Sequence, residues 1–157
     1  MVSAELATLF TRDIVRLIQE LEAFPDTASV WKTTPGVANA AGTLALHLEG
    51  NLREYIGRQL GHIEFTRDRP LEFSARGVER DELIARLTAV QAQIPPVIAA
   101  LSSAQLDAIY PENVLGTPIT TRQFLIHLEA HLNYHLGQLD YLRRLTTGSG
   151  AIPLAGL

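Results

Sequence analysis

The sequence contains no cysteine, and it has few positive charges for its 157 residues. Disulfide bonds and thiolate metal sites are therefore excluded, and we expect a cytoplasmic location, where cysteine cross-links are rare. Lysine and arginine together number 13 against 17 acidic residues, and they form no basic tail or patch. A nucleic-acid partner is not expected, because binding to the phosphate backbone requires clustered positive charge.

Long hydrophobic runs are also missing. No apolar stretch approaches the roughly 20 residues that a membrane-spanning helix needs. The start from Met1 to Glu5 lacks the layout of a signal peptide, so we expect no membrane partner. Apolar residues make up 46% of the chain and charged residues 19%, which is the composition of a globular protein. This length suits a single domain over residues 1–157, with a mobile tail over 147–157.

The spacing of apolar residues predicts four long amphipathic helices and no clear strand. Asn39 is a suitable cap for the second helix, and Thr120 with Gln123 has the spacing of a capping box before the fourth. Pro95 and Pro96 are expected to kink or break the third helix, since each removes a backbone donor. The pattern predicts an all-α four-helix bundle with a long connection over 25–38. The predicted helices cover about residues 3–23, 39–60, 79–94 and 120–145, with a brief helix after 102 or 103 and a brief extended segment over 71–73.

Five histidines occur in the chain, and three of them recur at every fourth residue of the fourth predicted helix. Imidazoles four residues apart can bind one metal ion together, whereas the first and third of the series are about 12 Å apart along the axis. On a helical wheel, His135 falls inside an arc of leucines and His131 at its edge, while His127 lies on the flank. The pair that points inward is therefore His131 with His135. The same wheel places on the solvent face Arg122, Ile126, Glu129, Asn133, Asp140 and Arg144.

A third ligand has to come from another helix, and His47 in the second predicted helix is the candidate. It lies on a polar stripe, which suits a pocket inside a bundle and equally an ordinary solvent face. Three neutral imidazoles would leave a metal ion with an open coordination position, as catalytic sites require. Single helical histidines are more often surface or hydrogen-bonded residues, and that is the expectation for His62 and His127. The stripe consists of Thr43, His47, Asn51, Glu54 and Arg58.

The pattern H-x-x-x-H-x-x-Y-H-x-G-Q over residues 127–138 resembles the last-helix signature of the DinB/YfiT-like metalloenzymes. The stretch G-T-L-A-L-H-L over residues 42–48 is similar to the segment that carries the first ligand of that family. The resemblance implies an up-down-down-up bundle. It also implies that His47, His131 and His135 bind a divalent metal ion, often zinc or nickel. Three imidazoles by themselves also suit iron or copper, and manganese is a further choice. Several relatives are transferases or isomerases that use a low-molecular-weight thiol, and dimers are common, so the resemblance implies a homodimer too.

Three functions stay open at this point. The first is a metal-dependent enzyme, either a thiol-dependent S-transferase or isomerase or a hydrolase. In it the ion would lower the pKa of a bound thiol or water for attack on a small electrophilic substrate. The second is a bundle that binds a metal or small ligand without turnover, and the third is a purely structural dimer, to which an exposed Ile126 would contribute.

Four residues are candidates for substrate binding or for orienting a ligand: Gln138, His127, Glu54 and Tyr134. The competing expectation for Gln138 is a surface amide. For Glu54 it is a solvated charge, and for Tyr134 it is packing on a neighbouring helix. No further catalytic residue is identified.

Overall fold

The computed structural model describes residues 1–153, and it confirms the all-α fold class. In this part of the chain four long helices surround one hydrophobic core, and shorter helices fill the connections. The second long helix, α3, continues without interruption through a π-helical segment over Arg53–Arg58 into α4. The helices are α1 (Val2–Glu22), α2 (Thr27–Val30), α3 (Ala41–Leu52), α4 (Gln59–Gly61), α5 (Arg69–Ser74), α6 (Arg80–Ala99), α7 (Ser103–Asp107) and α8 (Thr121–Thr147).

The relative directions of the long helices follow from pairs of residues that are in contact across neighbouring helices. α1 packs on α6 and α8, and α3 packs on the same two helices. The pairs show that α3 and α8 run antiparallel, that α1 and α8 run parallel, and that α6 starts where α1 ends. These directions agree with an up-down-down-up path. The pairs are His47 with His131, Tyr55 with Phe124, Asp13 with Asn133, Glu20 with Arg143 and Phe24 with Arg80.

The leucine arc of α8 lies in the core, as the helical wheel predicted. Arc residues Leu128, Leu132 and Leu139 are buried against α1 and α3. Thr120 caps α8 by accepting the backbone N–H of Gln123 at 3.2 Å, and this start was also predicted. The apolar residues that recur at helical spacing therefore determine which face of α8 packs against the core.

Three local predictions need correction. The third helix was expected to kink or break at Pro95 and Pro96, and it does not break there: α6 continues to Ala99, with Ile94 and Ile98 on either side fully buried. Burying these two side chains stabilises the helix by roughly 1.5–3 kcal/mol each, which is of the same order as the cost of about 3 kcal/mol for each interior proline. Residues 71–73 are helical, not extended, since Asp68 caps α5 at its N-terminus. The residue before α3 is Ala40, not Asn39, and it makes no side-chain cap.

The predicted solvent face of α8 was wrong at Glu129, which is 9% exposed. α1 covers this position, and Asp13 of α1 accepts a 2.6 Å hydrogen bond from Asn133. Burial and the neighbouring Asp13 raise the pKa of Glu129 to about 8. Burial alone would raise the pKa of Asp13 too, but its hydrogen bonds to Arg12, Glu129 and Asn133 hold that pKa below the ordinary value. Glu129 is therefore mostly protonated at neutral pH, whereas Asp13 is ionised.

No helix within residues 1–153 is both long and apolar enough to span a membrane. α8 ends at Thr147, and Gly148 follows in the left-handed conformation. The predicted mobile tail falls in part on residues 154–157, which lie outside the described residues. The single domain over 1–157 and the mobility of the tail stay predictions.

Candidate metal centre

Facing turns of α3 and α8 bring the three predicted ligands together. The Nε2 atoms of His47 and His131 are 3.2 Å apart, and the ring centroids of His131 and His135 are 4.5 Å apart. One nitrogen of each of the three histidines lies within 4.8 Å of the other two. Because the pair on α8 is spaced by four residues and His47 reaches it from a facing helix, the three rings converge from different directions.

The arrangement of these nitrogens fits a divalent metal ion. Zinc–nitrogen bonds of about 2.0–2.1 Å at tetrahedral angles place two ligand nitrogens roughly 3.3 Å apart. The separation of 3.2 Å between His47 and His131 is close to that value. Three imidazoles and no carboxylate also suit zinc, nickel, copper or iron better than calcium or magnesium, which prefer oxygen ligands.

Hydrogen bonds to the outer ring nitrogens select the tautomer of two ligands. Nδ1 of His47 donates to Oε2 of Glu72 at 3.0 Å, and Nδ1 of His135 donates to Oε1 of Gln138 at 2.7 Å. A carboxylate can only accept, so the proton of His47 has to be on Nδ1. Nε2 of His47 and of His135 is then unprotonated, which is the state that binds a metal ion. The side chain of Gln138 thus lies where it can orient a ligand.

The electrostatics of the cluster keep two of its imidazoles neutral. Burial, followed by the neighbouring His135 and His47, lowers the pKa of His131 to about 4. Burial also lowers the pKa of His135, although its hydrogen bond to Gln138 opposes the shift. Neutral imidazoles at neutral pH do not need to lose a proton before they bind a metal ion.

Four of the five residues of the polar stripe are buried, so the solvent-face alternative was wrong for these four, and Arg58 at the end of the π-helical segment is exposed. Thr43, His47 and Asn51 are all buried between α3 and its neighbours. Among the described residues, Thr43 Oγ1 and Asn51 Oδ1 have no hydrogen-bond partner. Glu54 was expected to be a solvated charge, but it is buried because Arg58 donates to both of its oxygens at 2.9 and 3.0 Å. The stripe therefore offers uncommitted polar atoms one turn on either side of His47.

The remaining candidates lie at the exposed edge of the cluster. The ring of His127 is 6.5 Å from that of His131 and 5.9 Å from that of Phe124. Tyr134 is 65% exposed, so the prediction that it packs on a neighbouring helix was wrong. The centroid of its ring is 5.2 Å from that of His135. His62 lies outside the cluster, at the end of α4 with a φ of 53°.

Three residues of the site could not be assigned from the sequence: Glu72, Arg67 and Gly50. Glu72 reaches the site from α5, which was predicted to be extended. Arg67 donates to Oε1 of Glu72 from Nε at 2.6 Å and to Oε2 from Nη2 at 2.9 Å. A Cβ atom at position 50 would come within 2.8 Å of Cδ of Glu72, so only glycine lets the carboxylate approach α3 this closely. An isolated glycine inside an apolar helix was the one signal available.

An open depression of about 500 Å³ is lined in part by Glu54, Arg58 and Arg67. None of the three histidines lines it. Its connection to the histidine cluster is Arg67, which donates to Glu72, the hydrogen-bond partner of His47. The volume is within the range of small-molecule sites.

The fold and the histidine cluster define a DinB-like helical bundle with a candidate three-histidine metal site. A conserved protein from Enterococcus faecalis has a similar structure, with a TM-score of 0.73 and 20% identity over 94% of this chain and 96% of that one. A DinB-like protein from Bacillus cereus has a TM-score of 0.72 and 18% identity over 97% of this chain and 95% of that one. None of the curated proteins matches the sequence significantly.

Residues 5–148 match the family described as mycothiol-S-transferase, and the chain belongs to that family. The resemblance to DinB/YfiT-like proteins that was inferred from residues 42–48 and 127–138 is thereby confirmed.

Proposed function

We propose that the protein is a metal-dependent S-transferase that joins the sulfur of a low-molecular-weight thiol, mycothiol, to a small electrophilic substrate. The observation that carries this proposal is the convergence of three imidazole nitrogens within 4.8 Å in a chain of this family. The ligands we assign are His47, His131 and His135. Zinc and nickel are the ions we expect first, with iron, copper and manganese as the other choices.

A bound divalent ion would lower the pKa of the thiol, so that the sulfur attacks as a thiolate at neutral pH. The three histidines each direct one nitrogen toward a common point, and Glu72 and Gln138 keep two of these rings in the tautomer that leaves Nε2 free. The sulfur forms a bond to the electrophilic atom of the substrate, whose leaving group departs with the electron pair of the broken bond. Asn51 Oδ1 is buried and has no partner among the described residues, and we propose that it accepts a hydrogen bond from a bound ligand.

The body of the thiol has room in the pocket lined by Glu54, Arg58 and Arg67. These side chains already bond to neighbours, so little side-chain entropy is lost when a ligand binds to them. His127 and Tyr134 lie at the exposed edge of the cluster, and their contact with the electrophile is part of the proposal. A homodimer, a cytoplasmic location and the absence of a nucleic-acid partner stay predictions.

A thiol-consumption assay tests the proposal. Protein purified without a histidine tag is loaded with zinc or nickel, and loss of mycothiol in the presence of a chromogenic electrophile is followed. We expect turnover by the wild type and its loss in His135→Ala. The matched control is His62→Asn, which removes a histidine outside the cluster and keeps a residue that tolerates the left-handed backbone at this position. Equal thiol consumption in His135→Ala and wild type would refute the transferase.

The second candidate is a protein that binds a metal ion or a small ligand without turnover. The unpartnered Asn51 and Thr43 are compatible with either candidate, because a substrate and a non-reacting ligand would satisfy these buried polar atoms equally. About one divalent ion per chain with no consumption of any thiol would favour this second candidate.

A further inference from the structure

The carboxylate of Glu72 lies on the Nδ1 side of His47, away from the converging ligand atoms. Glu72 is 7% exposed, and it comes from α5, a helix that supplies no ligand. Its Oε2 accepts the Nδ1–H of His47 at 3.0 Å, and both of its oxygens accept from Arg67. All the hydrogen bonds of this carboxylate within residues 1–153 therefore go to a candidate ligand or to the arginine that holds it.

The three candidate ligands differ in what their outer nitrogen touches. His47 donates to a charged carboxylate, and His135 donates to the neutral amide of Gln138. Nδ1 of His131 has no partner in the described part of the chain. Hydrogen bonds to ionised acceptors are roughly twice as strong as those between neutral groups. The orientation of His47 is therefore held more firmly than that of the other two rings.

We propose that Glu72 is a positioning residue of the metal site, and that Arg67 in turn positions Glu72. The carboxylate fixes His47 with its proton on Nδ1 and its Nε2 directed at the ion, and it places a negative charge next to three neutral ligands. This inference rests on the metal site of the proposed function, but it does not depend on the thiol or on any turnover.

A buried carboxylate that pairs with arginine for stability alone would have surroundings similar to those of Glu72. Glu49 is such a carboxylate, and it serves as the comparison. Glu49 is also buried on this side of α3, and it pairs with Arg53 at 3.1 Å and with Arg86 at 2.7 Å. It lines the same pocket as Glu72, but it accepts no hydrogen bond from a histidine within residues 1–153. Glu49→Gln therefore removes the charge of a buried, arginine-paired carboxylate without touching a ligand.

The experiment measures metal affinity without thiol. Zinc binding to wild type, Glu72→Gln, Glu72→Ala and Glu49→Gln is measured by competition with a chromophoric chelator, and the unfolding of each metal-free protein is followed in urea. We expect Glu72→Gln to bind zinc about 10- to 100-fold more weakly than wild type, as for other groups that orient metal-bound histidines. Glu72→Ala should be weaker still, because the glutamine oxygen can accept the Nδ1–H and a methyl group cannot.

A spectroscopic measurement separates positioning from stability. Cobalt(II) bound to wild type and to Glu49→Gln should show the same visible absorption bands, whereas the bands of Glu72→Gln should shift or weaken. If Glu72→Gln keeps wild-type zinc affinity, or if Glu49→Gln loses as much, Glu72 has only a structural role and the inference is overturned. Wild-type protein that binds no zinc would overturn it as well. Metal binding with the expected loss in Glu72→Gln, but without consumption of mycothiol, would sustain the inference and refute the proposed transferase.

Discussion

Replacement of Gly50 by alanine should weaken the metal site without changing any residue that touches a ligand. The added Cβ would lie 2.8 Å from Cδ of Glu72 and closer still to Oε1. Carbon atoms in contact prefer separations of about 3.5–4.0 Å, so the carboxylate has to retreat by roughly 1 Å. Its hydrogen bond to His47 is 3.0 Å long and does not survive such a shift.

The expected size of the effect follows from the contacts that are lost. Loss of the hydrogen bond that orients a metal-binding histidine costs about 10- to 100-fold in metal affinity, which is about 1.4–2.7 kcal/mol. The hydrogen bonds between Arg67 and Glu72 are strained by the same shift, so the metal-free protein should also lose roughly 1–3 kcal/mol of its free energy of unfolding. The intrinsic preference of alanine for helices recovers about 0.5–1 kcal/mol of this loss.

The assay is chelator competition for zinc, combined with urea unfolding of the metal-free protein. Gly57→Ala is the matched control, because it makes the same change two turns further along, where the nearest atom to the new Cβ is Cδ1 of Ile94 at 3.4 Å. Zinc affinity of Gly57→Ala should stay near that of wild type. Wild-type zinc affinity in Gly50→Ala would show that the position of Glu72 does not matter to the site, and the reasoning from the close approach would fail.

Two further predictions concern pH. Since the folded-state pKa of His131 is about 4, below the ordinary 6.5, the unfolded chain binds more protons between these values. The metal-free protein should therefore lose stability as pH falls from 6.5 to 4, by up to about 1.4 kcal/mol per pH unit, and urea unfolding of His131→Gln should show a smaller decline. Glu129 has the opposite sign, because its pKa is raised to about 8, so its contribution is full below pH 4.5 and is lost as pH rises through 8. Glu129→Gln imitates the protonated acid, so its unfolding midpoint relative to wild type should rise between pH 6 and 8.5; a constant difference would contradict the raised pKa of Glu129.

The position of α8, its buried face and the pair of histidines on the inward side could be predicted from the sequence by itself. The period of a helix is a local property, so a stripe of leucines decides which side of the helix turns inward and which histidines share that side. The start of α8 at Thr120 is equally local, since a cap involves residues three apart. The family was also recognisable from two short stretches, because each keeps its spacing on a single helix.

The other features of the site could not be predicted from the sequence, because they depend on which segments of the chain contact one another in the folded protein. A helical wheel could not show whether Asn51 and Glu54 are buried or exposed to solvent. A stripe of polar residues has the same pattern on the wheel whether it faces water or a pocket. Glu129 shows the same limit on α8, where the covering helix α1 comes from the far end of the chain.

The sequence determined the helices, the leucine arc and the spacing of His131 and His135, since these depend on residues a few positions apart. The tertiary structure alone decided that Glu72 bonds to His47 and that Gly50 makes room for it. Those contacts join α5 to α3 across a loop, and their geometry is set by packing, which no local pattern encodes. Local periodicity therefore predicted where the ligands stand, and only the packing of distant segments showed what holds them in place.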